Sequence, residues 1–459
     1  MNSKNKLGEV KETKLLMQFA IPSIISMLVM ALYNIVDQFF IGQKIGTLGN
    51  AATNIVFPLS TSCIAIALLC GIGGAAAFNL TLGRGDKEKA MHYVGNALSL
   101  MTICGVILLG IVALFLPQIL NIFGCPKNVY DYAIEYTRVV AIGFPFVIMC
   151  SGGSNLIRAD GSPTYSMLCN LTGAIVNTIL DPIFIYGLDM DMTGAALATI
   201  IGQIISAIMV IAYLARYKTA PLKPSYFIPK TKYLTRIASL GATPCFNQLA
   251  MMIVQIVLNK SLTYYGARSS YGEEIPLACA GIISKVNQVY FSFVIGLSQG
   301  MQPIISYNYG AKKMSRVRNT YKYAIYTGLV ISIIAFIGFM IFPRQITALF
   351  GDASDASGND IYYSFAVSYF RIFLFGTFIN CMQPLTSTFF TAIGKPKKGI
   401  FLSLTRQIIF LLPLIIVFPL IWGIDGIMFA GPVADITAAI LSIIMYMPER
   451  KHLMADTIS

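Results

Sequence analysis

Twelve long apolar runs restrict what this chain can fold into more than any other feature. A helix needs about 20 mainly apolar residues to cross the hydrocarbon core of a bilayer, and such runs follow one another from 15–41 to 426–447. The alternating ten-residue segments that are typical of membrane β-barrels do not occur. Because every backbone polar group inside a bilayer must be satisfied within the protein, the sequence predicts an all-α integral membrane protein with twelve transmembrane helices.

The amino-acid composition also indicates a bilayer. Only 12% of the residues are charged and 56% are hydrophobic, whereas soluble domains carry about 25% charged residues. The net charge of +13 raises the alternative of nucleic-acid binding, and the positions of the basic residues decide between the two explanations.

Lysines and arginines collect on one side of the predicted membrane. Most of the 33 fall near the chain ends and in the loops that follow even-numbered spans, among them Lys4, Lys87, Arg236, Arg406 and Arg450. Since Lys and Arg are enriched in cytoplasmic loops, both termini are predicted to be cytoplasmic. The basic charge is then explained by membrane orientation and contact with anionic lipid, and we expect no nucleic-acid partner. The charged N-terminal segment also predicts that no signal peptide is removed.

The second half of the chain repeats the first. The turn GRGDKEKA after span two matches GAKKMSRV after span eight. ADGSP after span four matches AIGKP after span ten, so that Gly161 corresponds to Gly394, and Gln203 in span six corresponds to Asp435 in span twelve. Several such matches in the same order indicate a duplicated six-helix unit.

A hydrophilic connection with three prolines separates the two repeats. We predict an N-terminal six-helix lobe over 1–215, a cytoplasmic linker over 216–236 and a C-terminal six-helix lobe over 237–459. Six is an even number, so both units have the same orientation. The fold prediction is therefore two pseudo-symmetric six-helix bundles, and transporters with such repeats place the substrate site at the repeat interface.

Few acidic residues lie inside the predicted spans, and each is costly, at about 2.5–3.5 kcal/mol for mid-bilayer Asp on insertion scales. Four polar residues lie at similar depth in the outward half of the N-terminal lobe. They are Asp37 in span one, Asn177 and Asp181 in span five, and Thr199 in span six. Their oxygen atoms suit a hard cation such as Na⁺, and a pair of neighbouring carboxylates also suits a proton carrier. These four residues are predicted to form a cation-binding site. The alternative is that Asp37 caps a helix end and that Asp181 only precedes Pro182 at a kink.

The C-terminal lobe also has charged residues inside its spans. Lys285 in span eight and Asp435 in span twelve both lie toward the outer half. A structural ion pair between them is the simpler interpretation, and substrate contact by one of them is the alternative. The chain has no GxxxxGK[ST] segment, so direct use of ATP is not expected.

Several segments together resemble one family of transporters. The family is the multidrug and toxic compound extrusion (MATE) family, and the resemblance is strongest to its DinF-like and Mep-like bacterial branch. The segments that carry the resemblance are, in chain order, LYNIVDQFFIG, RADGSP, NTILDPIFIYG, GAALATIIGQ and GLSQGMQP. The resemblance extends over 14–447. It implies a secondary active multidrug antiporter, not an enzyme, that extrudes cationic, amphiphilic drugs in exchange for H⁺ or Na⁺ and needs no other cofactor. It places the ion site on the same four residues, Asp37, Asn177, Asp181 and Thr199.

The resemblance also has departures and consequences. NorM-like members have an acidic residue in the seventh span where this chain has Gln255, and Asn380 lies near their acidic position in the tenth span. Ion coupling is therefore expected in the N-terminal lobe, and Lys285, Asp435, Gln255 and Asn380 are candidates for the substrate cavity or for a structural pair. The expected partners are small-molecule drugs or toxins and lipid, for a monomer in the bacterial cytoplasmic membrane.

Two other function classes stay open on the residues alone. A lipid-linked oligosaccharide flippase can share this two-lobed architecture, but such flippases tend to place several basic residues in the central cavity for a diphosphate, and here Lys285 is the candidate. A membrane scaffold or receptor without transport is disfavoured by the duplication together with the intramembrane carboxylates.

Overall fold

Twelve membrane-spanning helices make up the fold. The computed structural model describes residues 6–123, 125–272, 274–349 and 356–455. Within these ranges, twelve helices are long and apolar enough to cross a membrane, and no strand occurs, which confirms the predicted all-α transmembrane fold. The helices are α1 (Glu12–Ile45), α2 (Leu48–Gly83), α3 (Lys87–Ile122), α4 (Lys127–Ala159), α5 (Pro163–Gly187), α6 (Asp191–Leu214), α7 (Thr231–Gly266), α8 (Ile275–Gly310), α9 (Met314–Ile341), α10 (Ile361–Ala392), α11 (Pro396–Trp422) and α12 (Ile424–Met454).

The fifth helix of each half contains a π-helical segment. In α5 this segment is Ile183–Gly187, directly after Asp181 and Pro182. In α11 it is Thr405–Leu411, which includes Arg406. Single π-helical turns inside α-helices are frequent at functional sites, and in both halves the turn adjoins an ionisable residue.

Buried apolar side chains form two clusters, one for each half of the chain. The first cluster runs through α2–α6 and also takes in Ile237 and Leu240 from the start of α7. The second runs through α7–α12 and also takes in Leu7 and Phe19 from the start of the chain. The lobe boundaries at 215 and 237 stay predictions. Each core includes a few residues from the opposite side of these boundaries.

The first residues of the described chain are tied to the second half. The 3-10 turn Lys6–Gly8 lies against α8 and α9. Asn308 Nδ2 donates a hydrogen bond to the Leu7 carbonyl (2.8 Å), and Arg316 Nη2 donates one to the Val10 carbonyl (2.5 Å). Backbone groups of the N-terminal segment are thus satisfied by side chains of the C-terminal half.

The connection between the halves is tied to the first half. Asp160, in the turn between α4 and α5, accepts hydrogen bonds from the backbone nitrogens of Lys218 (2.7 Å) and Thr219 (3.0 Å). Asn96 Nδ2 on α3 donates to the Tyr226 carbonyl (3.0 Å). The connection therefore lies along the first six helices on the side of the molecule that carries the chain ends.

The two halves approach each other closely in the parts of the helices nearest the chain ends. A Cβ atom at Gly241 of α7 would overlap the Leu69 carbonyl of α2, and one at Gly300 of α8 would lie 2.6 Å from the backbone of Ala20 in α1. Only glycine permits helix backbones to pack at such distances. The two halves are therefore in close contact at this end of the molecule, so a cleft between them, where the substrate site is expected, would be closed here.

Candidate cation site

The four residues predicted to bind a cation lie on three helices of the first half, α1, α5 and α6, that pack together. Asn177 and Asp181 are one helical turn apart and share a face of α5, and Asn177 Nδ2 donates to Asp181 Oδ1 (3.3 Å). The same amide nitrogen lies 3.3 Å from Thr199 Oγ1 on α6. Asp37 on α1 is near enough for its carboxylate to interact electrostatically with that of Asp181. The structure thus brings the four predicted residues into one neighbourhood.

The local sequence explains why α5 ends where it does. Pro182 follows Asp181, and α5 then passes into its π-helical turn before the chain reverses into α6. Asp189 and Asp191 adopt positive φ angles of 51° and 47° in this reversal, a conformation that Asp tolerates better than most residues. Lys44 at the end of α1 pairs with Asp189 (2.5 Å), and this contact lowers the pKa of the Asp189 carboxyl. The outer ends of the three helices are therefore linked.

Oxygen atoms at the site are buried without hydrogen-bond donors. Asp181 is 0% exposed and Asn177 is 3% exposed. Among the described residues, Asp37 Oδ1, Asn177 Oδ1 and Asp181 Oδ2 find no hydrogen-bond partner. Leaving a buried acceptor unpaired costs about 1–3 kcal/mol, and a ligand that supplies positive charge or donors at these three atoms would remove that cost.

Two cations, Na⁺ and a proton, suit this set of atoms. Carboxylate, amide and hydroxyl oxygens are the ligands that hard cations prefer, so Na⁺ would be held by Asp37, Asn177, Asp181 and Thr199. A proton fits as well, because a protonated carboxyl group becomes a hydrogen-bond donor. The unpaired oxygens would be ligands of the ion in the first interpretation, and in the second a protonated carboxyl group would donate to one of the others.

A small cavity continues from these residues toward the chain ends. It offers about 60 Å³ to the centres of water molecules, and its lining includes Tyr33, Asn177, Thr199 and Gln203. Gln203 Oε1 is buried and has no hydrogen-bond partner within the described ranges. In the sequence, Gln203 stands out only as the repeat partner of Asp435. Its position one helical turn after Thr199 was the signal that could have placed it at the site.

Asp435 in the second half has a basic partner that the sequence did not indicate. Asp435 on α12 accepts a hydrogen bond from Arg406 Nε on α11 (2.5 Å), and both side chains are buried. Arg406, which we had counted with the basic loop after span ten, lies well inside α11 and reaches Asp435 within the bundle. The predicted ion pair between Lys285 and Asp435 stays a prediction.

The polar residues suggested for a substrate cavity lie on α7 and α10. Gln255 Nε2 donates to Asn259 Oδ1 on the same helix (2.9 Å). Asn380 is buried, and its Oδ1 has no partner in the part of the chain that the structure describes. Substrate contact by Gln255, Asn380 or Lys285 stays a prediction.

Known proteins resemble this chain along nearly its whole length. The MatE family model matches residues 22–183 and 244–417. A protein named multidrug export protein MepA from Staphylococcus haemolyticus is 26% identical over 449 residues, which cover 97% of this chain and 96% of that relative. A MepA from Staphylococcus aureus is 25% identical over 450 residues and is covered to 95%.

Solved structures agree with the fold. One described as the outward-facing conformation of a multidrug resistance MATE family transporter of the MOP superfamily superposes with a TM-score of 0.89 at 24% identity, and the match covers 100% of both chains. Another, described as MATE in the straight conformation, gives a TM-score of 0.89 at 23% identity and covers 99% of both chains. The chain therefore has the two-lobed fold of these transporters.

Proposed function

The chain belongs to the MatE family, and we propose that it is a secondary active exporter that moves cationic, amphiphilic drugs and toxins out of the cell in exchange for H⁺ or Na⁺. It is a multi-pass protein of a bacterial membrane. Relatives named multidrug export proteins support the substrate class. The observation that carries the proposal is the group of buried acceptors on Asp37, Asn177 and Asp181, which lack partners among the described residues.

Charge balance explains how this site would couple ion binding to helix packing. Two carboxylates in a medium of low dielectric constant repel each other, so the ion-free site favours separation of α1 from α5. A positive charge between Asp37 and Asp181 removes the repulsion and favours close packing of α1, α5 and α6. Coupling then requires only that drug and ion stabilise different arrangements: drug arriving from the cytoplasm favours the ion-free arrangement, and ion binding favours release of drug outside.

We assign the chain ends, and with them the closed end of the cleft, to the cytoplasm. This orientation rests on the positive-inside distribution of Lys and Arg. In this orientation the end at which the two halves are in close contact faces the cytoplasm. The protein works as a monomer of the cytoplasmic membrane, with lipid and small molecules as partners, and without a catalytic reaction or a nucleic-acid partner.

The lipid-linked oligosaccharide flippase is the weaker alternative. A diphosphate needs accessible basic groups, and Arg158 and Arg406 are buried in the described structure. Arg406 is neutralised by Asp435, and Arg158 Nη1 donates to Asn155 Oδ1 (2.9 Å). Neither guanidinium group is therefore exposed to a diphosphate, and Lys285 remains the one candidate that the sequence offered for it.

The test is efflux of a fluorescent lipophilic cation, such as ethidium, from proteoliposomes under separately imposed Na⁺ and proton gradients. Wild type, Asp37→Asn and Asp181→Asn are compared with Asp189→Asn, which changes an exposed carboxylate in the α5–α6 loop. Efflux should follow one gradient, fall to background in the two site variants and persist in Asp189→Asn. Normal efflux in both site variants would refute the site, and no efflux by folded wild type under either gradient would refute the exporter and favour the flippase.

A further inference from the structure

The cavity beside the cation site extends along the inside of the first lobe. Asn177 and Thr199 line its upper part, next to the carboxylates, and Asn170 and Ser206 line its lower part. Asn170 precedes Asn177 by two helical turns, so the cavity follows α5 for about 10 Å at 1.5 Å per residue. α5 is an odd-numbered span and begins at the end of the molecule that carries the chain ends. With that end assigned to the cytoplasm, the cavity leads from the ion site toward the cytoplasm.

The size and lining of this cavity suit water and small ions. It offers about 60 Å³ to water centres, and a water molecule needs roughly 10–15 Å³ of such volume, so several waters fit. Polar side chains, including Ser151 and Gln203, line it. The buried acceptors Asn177 Oδ1 and Gln203 Oε1 have no partner among the residues described. The rest of the wall is apolar, with Met30 and Val147, but unpaired polar groups of this kind can hold water, whereas a wholly apolar cavity stays dry. A drug-sized molecule does not fit.

Hydroxyl groups continue the polar track below the cavity. Ser154 Oγ donates to Asn170 Oδ1 (3.3 Å) and Ser166 Oγ donates to the Ser154 carbonyl (2.9 Å). Closer to the surface, Tyr213 OH lies 2.7 Å from Ser162 Oγ and 2.9 Å from Asp160 Oδ2. Polar groups therefore connect the lower end of the cavity with the cytoplasmic turn between α4 and α5.

In the second lobe, the position equivalent to the cavity is filled by side chains. Gln203 corresponds to Asp435 by the repeat, and the offset that relates Gly161 to Gly394 places Gly173 opposite Arg406. Where the second lobe packs the ion pair of Arg406 and Asp435, the first lobe has Gly173 and a cavity.

We propose that this cavity is a second, transient binding site for the coupling ion, which we call the inner station. The amide groups of Gln203 and Asn170 hold the ion there together with water. Through it the ion passes between Asp37 and Asp181 and the cytoplasm inside the N-terminal lobe. The ion and the drug thus take separate routes, because the drug uses the cleft between the lobes. This inference rests on the proposed ion-coupled export.

Transport with and without a gradient tests the station. Gln203→Leu and Asn170→Leu replace the polar amides by apolar groups of similar size. In proteoliposomes, ion-driven ethidium efflux should fall by about tenfold or more, within the usual range of coupling effects. Gradient-free exchange of ethidium across the membrane should stay near the wild-type level. Thr172→Val is the matched control on α5, because the Thr172 hydroxyl bonds the Leu168 carbonyl (2.8 Å) and does not line the cavity.

The outcomes separate this inference from the function on which it rests. If the wild-type protein shows no ion-driven efflux, both the proposed exporter function and this ion route are refuted. Ion-driven efflux in the wild type that persists unchanged in both leucine variants would refute the inner station alone. Equal loss of driven efflux and gradient-free exchange would assign Gln203 and Asn170 to general transport and would also overturn the proposal.

Water in the cavity can be measured without any transport. Radiolytic hydroxyl-radical labelling with mass spectrometry modifies side chains next to bound water. Cys150 lines the cavity and is 8% exposed, whereas Cys169 does not line it and is fully buried. Cys150 should be labelled faster than Cys169 in wild-type protein, and equal protection of both would show a dry cavity and overturn the station.

Discussion

The two lobes place chemically different side chains at the same packing position. In the first lobe, Gln203 on α6 lies beside Gly143, where a Cβ would come within 2.7 Å of its Oε1. In the second lobe, Asp435 on α12 lies beside Gly376, where a Cβ would come within 2.7 Å of its Oδ2. Asp435 is neutralised by Arg406, and Gln203 adjoins a cavity. The duplicated geometry is the same, while the chemistry differs.

The difference teaches how a duplicated unit can divide its tasks. Buried charge in the second lobe is satisfied within the protein, so it contributes to a fixed structure. Buried acceptors on Asp37 and Asp181 in the first lobe have no donor among the described groups, so they are available to a ligand. Changes at matched positions should therefore affect stability in the second lobe and coupling in the first.

Breaking the ion pair should have the largest effect on stability. Asp435→Asn leaves Arg406 buried without a counter-charge, and removing one partner of a buried pair costs about 3–5 kcal/mol. We expect a clearly lower thermal unfolding midpoint and poor recovery of monodisperse protein in detergent. Asp181→Asn removes a charge that repels Asp37, so this variant should unfold no earlier than the wild type.

A double variant checks the cause of that loss. Arg406→Gln combined with Asp435→Asn removes both charges and should recover much of the stability. If the double variant is as unstable as Asp435→Asn alone, the uncompensated guanidinium is not the source of the loss.

Adding one methyl group at the two matched glycines should give a smaller and unequal effect. Gly376→Ala presses on the Asp435 carboxylate, which Arg406 holds in place, and overpacking of this kind costs about 1–3 kcal/mol. Gly143→Ala meets the end of the flexible Gln203 side chain beside a cavity, so we expect less than about 1 kcal/mol. Unfolding midpoints in one detergent measure both, and equal losses would contradict the comparison.

The smallest effect is expected at the repeat counterpart of Asp37. The offset between Pro22 and Pro244 places Asn259 on α7 at that position, where no carboxylate is available for a cation. Asn259→Ala should leave the Na⁺ or pH dependence of efflux within about twofold of the wild type, or ~0.4 kcal/mol. A larger shift in the half-maximal ion concentration would give the second lobe a direct part in ion coupling.

The sequence was informative where depth in the membrane decides the outcome. Apolar runs of sufficient length predict the helices, and counting residues from the helix ends placed Asn177, Asp181 and Thr199 at one level, where the structure brings them together. Intramembrane carboxylates are visible in a sequence because they are costly.

Other features depend on packing that a single chain of letters does not display. Gln203 is an uncharged amide on an apolar helix, and its importance appears only when its oxygen is found beside a cavity without a donor. The sequence placed Arg406 with the basic loop after span ten because it is close to that loop along the chain. Which way α11 points the Arg406 side chain is decided by helix packing, which the sequence does not show. The borrowing of Leu7 and Ile237 by the opposite cores joins residues far apart in sequence, which hydropathy does not report.

That reciprocal borrowing has a consequence for how the two halves are held together. The start of α1 packs into the second core with Leu7 and Phe19, and the start of α7 packs into the first with Ile237 and Leu240. Two subunits of a domain-swapped dimer exchange segments in the same manner. A half-molecule made alone would expose the surface that its partner should cover, whereas two halves made as separate chains would bind each other without the linker. Each half therefore completes its core only with the first segment of the other, and the linker joins two units that are already held together by this exchange.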